Sequence, residues 1–76
     1  MKIVRTTNYI EAGTIVRITS SADADYTKPG VIIHPASIND KTEIKGNRDA
    51  GKGLPIIRTA TYYYRPYETD EIEILF

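Results

Sequence analysis

Glu71-Ile72-Glu73-Ile74-Leu75-Phe76 is the stretch whose pattern decides the fold class. Acidic and apolar residues alternate there with a period of two, the repeat of a half-buried strand and not of a helix. The alternation puts Ile72, Ile74 and Phe76 on an inward face and Glu71 and Glu73 on an outward one. A slip of one residue would turn every isoleucine to solvent, so the register is strongly specified.

Working outward, the rest of the chain carries the same signature in shorter pieces. Residues 2–6 hold Ile3 and Val4, and residues 13–19 read Gly-Thr-Ile-Val-Arg-Ile-Thr. Residues 31–34 read Val-Ile-Ile-His and stop at Pro35. Such β-branched runs suit a pleated surface. Pro29-Gly30 reads as a turn, and residues 20–28 as a polar loop holding Asp23, Asp25 and Tyr26. The longest strand is expected from Leu54 or Pro55 to about Tyr64, with Pro66 ending it. Residues 35–53 fit either of two readings. Ser37 could cap a short helix with Asp40 at its third position, but Ile38 and Ile44 would sit about 240° apart and form no apolar stripe. The other reading is a loop with a brief strand over residues 42–45. Residues 46–53 read as a loop tip.

Seventy-six residues suffice for one domain, expected to span residues 1–76. A chain of this size buries only roughly 60% of its unfolded surface. With no cysteine and one histidine, disulfides are excluded and a metal centre is not expected, so no cofactor is implied. Ten basic and ten acidic residues balance, which argues against nucleic-acid binding through the overall field. The distribution is uneven. Lys41, Lys45, Arg48, Lys52, Arg58 and Arg65 make the stretch 41–65 basic, and Glu68, Asp70, Glu71 and Glu73 make the end acidic. The charged start Met1-Lys2-Ile3-Val4-Arg5 lacks the apolar core of a secretion signal, and no run is long enough to span a membrane. A cytoplasmic location is the expectation, in keeping with the absence of cysteine.

Residues 13–19, the polar loop and Pro29-Gly30-Val-Ile-Ile resemble the opening hairpin of SH3-like and KOW-type barrels. Residues 67–75, Tyr-Glu-Thr-Asp-Glu-Ile-Glu-Ile-Leu, are similar to the short turn and final strand that close many such barrels. The resemblance implies an all-β fold, either a small SH3-like barrel or a strongly twisted open sheet of about five short strands. It does not imply polyproline reading, since the chain has no tryptophan and no Ala-Leu-Tyr-Asp-Tyr type motif. KOW elements also usually carry a glycine in the first loop, and residues 20–28 have none.

Three motifs fall short of chemistry. Gly46 to Lys52 matches seven positions of a phosphate-cradling loop, but Gly53 replaces the hydroxyl residue and Leu54-Pro55 replaces the helix. Asp23-Ala24-Asp25 opens like a calcium loop, yet Lys28 stands at its glycine and His34 at its glutamate. His34 ends an apolar strand with no nucleophile in a recognisable setting. No enzyme is expected.

Tyr62-Tyr63-Tyr64 with Arg58, Arg65 and Tyr67 is the feature that points to function. On a continuous strand Arg58, Ala60, Tyr62 and Tyr64 share one face, while Ile57, Thr59, Thr61, Tyr63 and Arg65 share the other. Outward tyrosines beside arginine suit a protein interface or a stacking platform for single-stranded nucleic acid. They also suit rings packed at the ends of a small core. The expectation is a small protein-binding module, inhibitor or accessory protein, contacting its partner through Arg58, Tyr62, Tyr64, Arg65 and Tyr67. Lys45, Arg48 and Lys52 are candidates for touching an anionic surface. The alternatives are a nucleic-acid-binding barrel and a structural homo-oligomer subunit.

Overall fold

A computed structural model of the protein describes residues 2–19, 27–40, 48–49, 53–61 and 63–75, with residues 48–49 described by backbone alone. The chain is all-β. Seven strands lie among the described residues: β1 (Lys2–Arg5), β2 (Ile15–Ile18), β3 (Gly30–His34), β4 (Arg48–Asp49), β5 (Ile56–Arg58), β6 (Tyr63–Arg65) and β7 (Glu71–Ile74). They form one open sheet in the order β1-β7-β2-β3-β5-β6-β4. All neighbours are antiparallel except β4 and β6, which run parallel.

The core lies on one face. Val16 and Ile18 of β2, Ile32 of β3, Ile57 of β5, Tyr64 of β6 and Ile72 of β7 form a single buried cluster, joined by Ile10 from the β1–β2 connection. Val4 and Ile74 pack at its margin. The inward assignment of Ile72 and Ile74 on β7 therefore holds; Phe76 lies outside the described residues. Glu73 does point away from the core, but it is buried (1% exposed), which alternation alone does not foresee.

Two expectations change. The long strand to Tyr64 is a hairpin: Ile57 pairs with Tyr64 and Arg58 with Tyr63. Thr59 helps to make the bend, its hydroxyl accepting the Thr61 amide at 3.4 Å. Pro29-Gly30 is not a turn apex. Gly30 is the first residue of β3 and pairs with Val16. Its missing side chain answers a close approach, because a Cβ there would sit 2.7 Å from Ile57 Cγ2 and 2.8 Å from the Arg58 carbonyl oxygen.

Residues 35–40 form no helix. Ser37 and Asp40 form a tight turn instead, with the Asp40 amide donating to the Ser37 carbonyl. The brief strand expected over residues 42–45 lies outside the described residues.

Three substitutions test this packing. Tyr64→Ala removes a fully buried ring and is expected to cost about 3–5 kcal/mol, whereas Tyr63→Ala on the next residue stays within about 0.5 kcal/mol. Gly30→Ala is expected to destabilise by about 1–3 kcal/mol through overpacking. Urea midpoints at unchanged slope read all three.

Candidate functional site

The hairpin divides the tyrosines and arginines that the sequence grouped together. Tyr64 is wholly buried in the core, and Arg65 is wholly buried as well. Neither offers a surface to a partner, so both leave the candidate contact set. Tyr63 and Tyr67 are about half exposed, at 44% and 50%, and Arg58 is exposed. Tyr62, Lys45 and Lys52 lie outside the described residues, as does the side chain of Arg48.

Arg65 is held by two connections, the one after β3 and the one before β5. Its Nη1 donates to the Leu54 carbonyl, and its Nη2 lies 3.4 Å from Asp40 Oδ2. The Ser37 amide donates to the Gly53 carbonyl at 2.9 Å and ties the same two loops together. Gly53 takes a positive φ of 89° there, a conformation open to glycine. A buried guanidinium is tolerable only with partners of this kind. Tyr67 belongs to a different structure, the turn before β7. Its amide donates to Asp70 Oδ2 at 2.8 Å, and the Asp70 amide donates back to the Tyr67 carbonyl at 2.9 Å. The buried Thr6 hydroxyl ties that turn to the end of β1 by donating to the Glu68 carbonyl.

Registers assemble a surface on the face away from the core. Ile15 pairs with Val31, Val31 with Arg58, and Arg58 with Tyr63. Directly opposed residues point to the same side of a sheet, so these four make one row across β2, β3, β5 and β6. Leu75 adjoins the row, its amide donating to the Ile15 carbonyl at 2.9 Å. The aliphatic members are half-buried, while Arg58 and Tyr63 stand exposed at the far end. A shallow groove of about 260 Å³ follows the row, lined by Ile15, Pro29, Val31, Arg58, Thr59 and Ala60 and floored by Gly30. Ile15, Val31 and Pro29 line this surface, and the sequence reading did not single them out. The run Ile15-Val16-Arg17-Ile18 is apolar in both parities, so pattern alone leaves open which side faces out.

A second row on this face runs Ile3, Glu73, Arg17 across β1, β7 and β2. Arg17 Nε donates to Glu73 Oε1 at 2.5 Å. Glu73 Oε2 is buried and has no hydrogen-bond partner among the described residues. His34 is exposed at the end of β3. Among the described residues, no three of His, Cys, Asp and Glu come together as a metal set. No described helix is long and apolar enough to cross a membrane.

Comparison with protein-family models, curated proteins and solved structures finds no match to this chain.

Arg65 and Asp40 should couple. Asp40→Ala leaves a buried guanidinium short of a partner and is expected to cost on the order of 3 kcal/mol. The double variant with Arg65→Met should lose about 1 kcal/mol less than the two single losses added, as read from a double-mutant cycle in urea.

Proposed function

We propose that this protein is a small non-catalytic protein-binding module whose partner docks on the outer face of β2, β3, β5 and β6. The observation that carries the reading is the cross-strand row of Ile15, Val31, Arg58 and Tyr63 beside its groove. It joins aliphatic area, an exposed aromatic ring and one arginine, the composition of interface hot spots. Arg58 is retained from the contact set expected on the sequence, and Tyr63, which was outside that set, joins it. Tyr67 is exposed too, but on the turn before β7, as a separate contact.

Zero formal charge favours a protein partner over nucleic acid. The resemblance to SH3-like barrels belongs to the same proposal. It is supported by the meander of β2, β3, β5 and β6 and by the return of β7 beside β2. A cytoplasmic location is likewise part of the proposal.

The test compares partner capture by the parent, Arg58→Ala, Tyr63→Ala and Tyr9→Ala. Tyr9 is 73% exposed on the β1–β2 connection and serves as a control for surface tyrosine in general. The first two variants are expected to weaken the captured partner by roughly thirtyfold each, the size of a hot-spot loss. Tyr9→Ala should leave it unchanged. Equal capture by all four proteins overturns the reading. Binding of single-stranded RNA or duplex DNA that weakens steeply with salt would establish the nucleic-acid alternative instead.

A further inference from the structure

β1 is the edge strand at the end of the sheet opposite β4, and β7 is its only neighbour among the described residues. An edge strand turns part of its backbone amides and carbonyls outward, a template for one more strand. β1 reads Lys2-Ile3-Val4-Arg5, base, apolar, apolar, base. Ile3 is 52% exposed and Val4 half-buried. Lys2 and Arg5 are exposed, and neither has an ion-pair partner among the described residues.

This pattern selects its occupant. A second copy of the chain would pair about a two-fold axis at Ile3 or at Val4, because directly opposed residues share a side of the sheet. Either register leaves Lys2 and Arg5 without an opposed acid. An antiparallel segment reading acid, apolar, apolar, acid would put an acid opposite Arg5 and another opposite Lys2. Its apolar pair would cover Ile3 and Val4. The inner side of β1 already shows half of this preference, since Arg5 pairs with Glu71 and Val4 with Ile72.

We infer that the free edge of β1 is a second docking site, which takes an extended protein segment of the pattern acid-apolar-apolar-acid by antiparallel strand addition. The site is distinct from the outer-face groove of β2, β3, β5 and β6. It stands whether or not that face binds a partner.

The probe is a capped peptide, Thr-Glu-Val-Ile-Glu-Thr, titrated into the labelled full chain and followed by amide NMR. Shifts at the amides of residues 2–5 are expected, with the groove residues Val31 and Arg58 unmoved. The same peptide with lysine at both glutamate positions should bind about tenfold more weakly or not at all, since two opposed pairs become like-charged. Lys2→Glu combined with Arg5→Gln should reverse that preference while the rest of the spectrum stays native. Added salt should weaken the acidic peptide's binding. Three results of the titration overturn the inference: no shifts at β1, equal binding of both peptides, or shifts centred on β2 that report displacement of β7. Concentration-dependent shifts of β1 without peptide also overturn it, because they make the occupant a second copy.

Discussion

The buried guanidinium of Arg65 is the constraint on which the second half of the chain depends. A charge taken wholly out of water must bring its partners with it. Here they come from two loops, the Asp40 carboxylate after β3 and the Leu54 carbonyl before β5. Neither loop has an apolar repeat of its own to fix its position. Arg65 supplies that position from the middle of the β6 end of the sheet. With β6 fixed, Tyr64 enters the core and Tyr63 faces out, so the same residue that stabilises the hairpin also decides which tyrosine a partner can meet.

Glu73 plays a comparable part at the other end. It lies on the outer face of β7 between Ile3 and Arg17, and its carboxylate is almost fully covered. The bond from Arg17 offsets much of the cost of burying it. One oxygen stays unpartnered among the described residues, and an orphaned acceptor costs about 1–3 kcal/mol. Registers in a sheet with apolar residues on both faces are easily confused. A paired charge in the outer row discriminates between them, because a one-residue slip of β7 would drive Glu73 into the cluster of Val16, Ile18 and Ile32 and turn Ile72 out of it.

Strand content was legible because it depends on period and β-branching. The stretches around β1, β2, β3 and β7 were read to within a few residues, and so was the inward face of Ile72. The β5–β6 hairpin was not legible. Arg58-Thr59-Ala60-Thr61-Tyr62 contains no glycine, proline, asparagine or aspartate, and its bend draws on a threonine side chain and on burial of residues far along the chain. That one missed bend changed the parity of the following residues and turned Tyr64 into the core, while Arg65, on the other side of β6, is buried against Leu54 and Asp40. Gly30 misled in the opposite sense: a Pro-Gly pair signals a turn by composition, whereas here the glycine serves the approach of β5 to β3. The groove was hidden for a third reason. Its members are far apart in sequence and meet only through the registers of four strands.

The two proposed surfaces follow from a single shortage. The described strands make one sheet, and the buried cluster lies on one face of it. The other face keeps Ile15, Val31, Leu75 and Tyr63 at least partly in contact with water, and the edge keeps Ile3 there. Exposed apolar surface of this kind invites indiscriminate association unless charge directs it. Arg58 stands at one end of the outer row, and Lys2 and Arg5 bracket the edge. In each case the charge belongs to the surface that exposes the apolar area, and it narrows the acceptable partner where hydrophobicity alone would accept any. Around β7 the charges oppose one another locally, with Glu68, Asp70, Glu71 and Glu73 on the turn and the strand and Lys2, Arg5 and Arg17 on the strands beside it.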